Sequence, residues 1–114
     1  MAVVSFDKTT RTGIYGARFE KSVSLSSATT SDIILIPDGV RGINCTIAFG
    51  GTATAKVQYT NSTLAEIDAG TAVWIDGAAA GSSNSAQYLN PCNAIRLKVT
   101  AWTSSTVVLS AVAQ

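Results

Sequence analysis

The sequence contains no histidine, and that absence removes the commonest general base, the commonest zinc ligand and any Ser-His or Cys-His nucleophile pair. Charge is scarce as well. Acidic and basic residues make up only 13% of the 114 residues, and the net charge is +1. The basic residues are scattered, so the electrostatic footprint of a nucleic-acid partner is missing. Two cysteines allow one bridge at most and rule out a disulfide scaffold. No apolar run approaches the roughly 18 residues of a membrane span, and Met1 to Asp7 lacks a basic stretch followed by an apolar one. Neither secretion nor membrane insertion is signalled, and the chain reads as made in a cytoplasm. There Cys45 and Cys92 are expected as reduced thiols, the alternative being a bridge between neighbouring strands. No phosphate loop or dinucleotide fingerprint is present, so no cofactor is expected.

What the chain does have is a hydrophobic content of 46%, with Ser and Thr supplying most of the polarity. Its length suits one domain with one core. Hydroxyls are cheaper to desolvate than ions, so such a surface suits packing against other proteins.

The clearest pattern runs from Ile43 to Thr60. Ile43, Cys45, Ile47 and Phe49 alternate onto one face, as do Ala53, Ala55, Val57 and Tyr59 after Gly50-Gly51, while Lys56, Gln58 and Thr60 point the other way. This predicts a β-hairpin with a dry face and a wet face. A second hairpin is predicted from Ala94 to Val112, turned by Thr103-Ser104-Ser105, with its last strand apolar enough on both sides to be largely covered. Ile33-Ile34-Leu35-Ile36 reads as a strand covered on both faces and stopped by the turn Pro37-Asp38-Gly39. Ser22 to Ser26 and Thr71 to Asp76 read as further strands. Residues 64–70 are either one helical turn or a loop, and residues 77–86 read as a flexible connection. Sustained helical periodicity is lacking. The fold class predicted is all-β, an antiparallel β-sandwich or jelly-roll-like barrel of about seven strands.

Of the eight basic and seven acidic side chains, six fall in residues 1–21: Asp7, Lys8, Arg11, Arg18, Glu20 and Lys21. This segment has no clean period. It is read as an extended N-terminal arm, either packed on a neighbouring subunit or loosely docked, before a β-sandwich domain at residues 22–114.

Candidates for chemistry are few. Glu66, Asp68 and Asp76 could hold calcium or act as paired carboxylates, but their spacing matches no ion-binding loop, and a solvated acidic loop is the preferred reading. No metal site is therefore assigned. Trp74, Trp102, Tyr59 and Tyr88 are the candidates for an aromatic platform; Tyr59 is expected in the core and Trp102 exposed. Asn44-Cys45-Thr46 and Asn61-Ser62-Thr63 match the glycosylation pattern, which carries almost no weight without a secretory signal.

Three segments, Ala55-Lys56-Val57-Gln58-Tyr59-Thr60, Ala72-Val73-Trp74-Ile75-Asp76-Gly77 and Pro91-Cys92-Asn93-Ala94-Ile95-Arg96-Leu97-Lys98-Val99-Thr100, together resemble small β-rich virion proteins of tailed bacteriophages. The likeness spans roughly residues 39–114 and its motifs are structural rather than catalytic. It implies a non-enzymatic capsid decoration or cement protein on the virion surface, bound to the major capsid protein or another virion protein and homo-oligomeric, with neither nucleic acid nor membrane as partner. Aromatic and arginine side chains dominate interface energetics, so Phe6, Arg11, Tyr15, Arg18 and Phe19 of the arm, with Trp102, are the partner-binding candidates. The alternative is a carbohydrate-binding tail or fibre module using Trp74, Trp102 and Tyr88.

Overall fold

A computed structural model describes residues 3–5, 7–13 and 16–114. Among the described residues ten strands form two five-stranded sheets packed face to face, with one short helix beside them. In chain order the strands are β1 (Val3–Ser5), β2 (Asp7–Gly13), β3 (Gly16–Leu25), β4 (Ile33–Leu35), β5 (Ile43–Phe49) and β6 (Ala53–Thr60). After helix α1 (Leu64–Ala69) come β7 (Ile75–Asp76), β8 (Ser85–Leu89), β9 (Ala94–Trp102) and β10 (Val107–Ala113). Sheet I has the order β1-β4-β9-β6-β7, and sheet II the order β2-β3-β10-β5-β8. All described pairings are antiparallel except β1 with β4.

The fold is the predicted all-β, jelly-roll-like sandwich, but its connections differ from those predicted. β5 and β6 do not pair with each other: β5 lies between β10 and β8, whereas β6 lies between β9 and β7. The segment from Ile43 to Thr60 is therefore an arch from one sheet to the other, and the segment from Ala94 to Val112 is a second arch. The physical reason is burial. An arch sets Ile43, Cys45 and Ile47 opposite Ala55 and Val57 across the core, so that each dry face covers the other; all belong to one buried cluster with Ile34, Ile95, Leu97, Val99, Val107 and Leu109. Gly50 and Gly51 are not the positive-φ glycines of a tight hairpin, a conformation found at Gly39 and Gly70. They serve close approach between the two arches: a Cβ on Gly50 would stand 2.7 Å from the Ser105 hydroxyl oxygen.

The wet face predicted for β6 is dry in part. Gln58 and Thr60 are buried. Helix α1 and the segment leading to β7 lie on that outer side of sheet I, where Ile67 joins Ile33 and Ala94 in a second buried cluster, with Trp74 and Ala72 packed against it. β4 is accordingly covered on both faces, as its apolar run predicts, with Ile34 in the main core and Ile33 in the second cluster. The helix exists because its ends are satisfied. The Thr63 hydroxyl accepts the Glu66 N–H at 3.2 Å, the Glu66 carboxylate accepts the Thr63 N–H at 3.1 Å, and Gly70 closes the far end with φ of 77°.

The described part of residues 1–21 does not stand apart as an arm. β1 joins sheet I, β2 joins sheet II, and β3 runs through the expected boundary at residue 22. The threonines of β2 are β-branched strand formers, which offset its lack of apolar alternation. β10, predicted covered on both sides, is covered on one: Val107, Leu109, Ala111 and Ala113 face the core, while Ser110 is exposed between half-buried Val108 and Val112. The segment 77–86 is also more structured than predicted, because Gly81 bridges to Ala55 through two backbone hydrogen bonds of 2.9 and 3.0 Å, and β8 begins at Ser85.

Candidate functional site

The two sheets present outer faces of opposite chemistry. On sheet II the register aligns side chains in rows across four strands. Ser22, Ser110, Thr46 and Ala86 make one row, and Glu20, Val112, Asn44 and Tyr88 make another; Ser24, Val108 and Ala48 continue on the other side. Glu20 is the one charged residue among these eleven, and all but Glu20, Val108 and Val112 are exposed. The result is a flat, neutral, hydroxyl-rich face with little side-chain entropy to lose on contact.

On sheet I the uncovered part of the outer face is polar and connected. The Lys56 ammonium lies 2.8 Å from the Asp76 carboxylate, whose other oxygen accepts the Gln58 amide at 3.0 Å. The Gln58 amide oxygen in turn accepts Arg96 Nε at 2.9 Å, and the guanidinium stacks over the Trp74 ring, 4.2 Å from its centroid. Hydrogen bonding from Lys56, then from Gln58, holds the Asp76 carboxyl below its usual range. Burial pulls the Arg96 guanidinium down from its ordinary value. The chain of contacts explains how Gln58 is buried without an unpaired amide. It leaves Lys98, directly opposite Lys56, as a second cation on this face.

β2 and β3 form a hairpin that extends past the body of sheet II. Pairing of β3 with β10 ends at Phe19 opposite Ala113, so beyond that rung residues of β2 and β3 pair only with each other among the described residues. A register shift of two residues between Lys8 and Thr12 marks a bulge in β2. Arg18, near the base of this extension, forms an ion pair with Glu20 at 3.2 Å.

The predicted partner-binding residues are thus only partly brought together. Arg11 falls in β2, near the projecting end, and Arg18 near its base. Phe19 is half-buried and packs against the core of its own chain, so its ring belongs chiefly to the fold. Phe6 and Tyr15 lie outside the described residues. Trp102 is 38% exposed, as predicted, but stands at the far end of β9, where its indole N–H donates to the Ser105 carbonyl at 2.7 Å.

The aromatic platform predicted from Trp74, Trp102 and Tyr88 does not assemble. Trp74 lines a cleft beside α1 and Tyr88 lines another at the sandwich edge. Tyr59 packs against the core, as predicted. The carboxylates are separately engaged: Glu66 caps α1 and Asp76 pairs with Lys56, while Asp68 lines the cleft beside α1. Among the described residues no group of three or more His, Cys, Asp or Glu side chains is placed to hold a metal ion, and no helix is long and apolar enough to cross a membrane. Cys45 and Cys92 are free thiols, and burial pushes them up to about 12 and about 11 respectively.

Asn44, Thr46, Ala48 and Ser110 were not among the predicted contact residues. Their alternation with Ile43, Cys45, Ile47 and Leu109 marks them as outward-facing, but nothing in the spacing says that β5 and β10 are neighbours, which is what makes them one surface.

No protein-family model and no curated protein matches the chain. Among solved structures the chain is similar to the cupin domain of Cnp3 from Schizosaccharomyces pombe, with 10% sequence identity and a TM-score of 0.43. The alignment covers 95% of this chain and 58% of that one, so the chain spans less than two thirds of its length.

Proposed function

We propose that the chain is a non-enzymatic structural protein of a tailed-bacteriophage virion, a capsid decoration or cement protein that binds across major capsid subunits and stabilises the assembled shell. The observation that carries this reading is the neutral outer face of sheet II. A flat array of Ser22, Ser24, Asn44, Thr46, Ala48 and Ser110 is cheap to desolvate, which suits it to broad contact with another protein surface.

The size of the face indicates how it would work. Four strands about 4.8 Å apart, read over three rows of outward side chains, give a projected area of about 400 Å². A stable complex needs about 800 Å² per partner. The face therefore supplies about half of a stable contact, and the projecting β2–β3 hairpin, continuous with it through β3, supplies the rest. Binding of this kind favours the assembled lattice by mass action, because the surfaces that the chain bridges exist together only there. Arg18, near the base of the hairpin, is its charged anchor.

The reading is tested on purified particles of the phage that encodes the chain. Particles lacking it are expected to disrupt at a lower temperature, to regain heat stability when purified protein is added, and to show its density on the outer shell by electron microscopy. Unchanged heat stability together with no density on the shell would overturn the reading.

A further inference from the structure

We infer that the open edge of the sandwich between β7 and β8 is a binding site for a neutral carbohydrate, meeting the face of sheet II at Tyr88. Here the two sheets part, leaving a cleft of about 290 Å³ lined by Tyr59, Asn61, Gly77, Tyr88, Asn90 and Pro91, with Leu89 at its base. No lining residue carries a charge. That composition disfavours nucleotides, phosphates and metal ions, each of which needs compensating charge.

Tyr88 supplies the platform. Its ring lies against Gly42 so closely that a Cβ on the glycine would fall 2.2 Å from the ring carbon bearing the hydroxyl, and its hydroxyl donates to the Arg41 carbonyl at 3.1 Å. The side chain is nonetheless 59% exposed. A large exposed ring seated on a glycine and anchored at its tip keeps a fixed orientation, so it loses little entropy when a ligand stacks on it. Sugar rings present a patch of C–H groups that packs on such a surface.

The polar partners are amides. The side chains of Asn61 and Asn90 make no hydrogen bond to another described residue, and each offers one acceptor and two donors. That pairing matches adjacent sugar hydroxyls, which donate and accept at once. Gly77 keeps the floor low: a Cβ there would stand 2.5 Å from Gln87 Nε2. The volume suits one or two rings of a glycan rather than a long chain.

The test is a titration of the isotope-labelled protein with lactose, maltose, cellobiose and diacetylchitobiose, read by amide NMR, with sialyllactose as the charged comparison. At least one neutral disaccharide is expected to give saturable shifts on the Asn61 and Asn90 side-chain amides. Tyr88→Leu keeps a cover over Gly42 but removes the ring, and is expected to weaken that binding about tenfold, while Tyr88→Phe retains it. Asn90→Ala, which leaves the Gly42 seat untouched, is expected to weaken it as well and serves if the leucine variant does not fold. Saturable shifts with none of the neutral sugars, binding of sialyllactose alone, or shifts that survive both Tyr88→Leu and Asn90→Ala would each overturn the proposal. The outcome is independent of whether the chain binds capsids.

Discussion

Gly51 lies against the backbone of Ser104, so that a Cβ added to the glycine would stand 2.5 Å from the Ser104 carbonyl oxygen. This contact joins the β5–β6 arch to the β9–β10 arch. The Thr52 carbonyl accepts the Thr103 and Ser104 N–H groups at 2.9 and 3.2 Å, and the Ser104 hydroxyl accepts the Thr52 N–H at 3.2 Å. Because the obstacle is backbone, it can move only by opening these bonds. Gly51→Ala is expected to cost about 1–3 kcal/mol in a denaturant titration, the range of overpacked sites. Gly81→Ala, where a Cβ meets nothing within 4 Å, is the comparison and is expected to stay within about 0.5 kcal/mol.

The Lys56–Asp76–Gln58 contacts predict an acid-side loss of stability. Asp76 has a folded-state pKa below its unfolded value, so its contribution is present above the ordinary carboxylate pKa of about 4 and is lost as pH falls through the folded value. In Asp76→Asn that contribution is missing at all pH values. The difference in thermal midpoint between Asp76→Asn and the parent is therefore expected to shrink as pH falls from neutrality to below about 3. A difference that stays constant with pH would show that the carboxylate's charge contributes nothing.

Cys45 predicts the opposite limb. Its folded pKa is raised to about 12 by burial, and secondarily by Cys92 beside it, whereas an unfolded thiol titrates near about 8.5. The protonated form is favoured in the fold, so this contribution is whole below about pH 8.5 and declines as pH rises toward the folded value. Cys45→Ala should unfold less steeply with alkali than the parent. Both thiols are expected to react with a disulfide reagent at neutral pH far more slowly in the native protein than in denaturant, since the thiolate is the nucleophile.

The strands were legible in the sequence and their neighbours were not. Alternation at Ile43, Cys45 and Ile47, and at Ile95, Leu97 and Val99, identifies strands and their inward faces correctly, because side-chain direction is a local property. Whether Gly50-Gly51 turns a hairpin or an arch depends on Ser104 and Ser105, more than fifty residues away, and no local pattern encodes that contact. The same holds for Gln58 and Thr60: their phase is right, but the α1 segment that covers their side of the sheet lies beyond the strand. The residues of β2 and β3 were harder to assign, since Thr-rich and charged segments satisfy strand geometry without the apolar period that reveals it. Of the proposed contact surface, the outward phase of Thr46 and Ser110 was visible, while their adjacency required the sheet order.

Capsid binding by the outer face of sheet II, as proposed, is broken by Ser110→Lys, which places a long cation in the middle of that face and leaves the core untouched. The measurement is the number of copies retained per purified particle, with Lys98→Ala on the opposite sheet as comparison and folding checked by thermal midpoint. Occupancy is predicted to fall at least about tenfold for Ser110→Lys, the effect of an uncompensated charge in a desolvated contact, and to stay at the parent level for Lys98→Ala. Full occupancy by a folded Ser110→Lys protein would show that this face does not bind the shell.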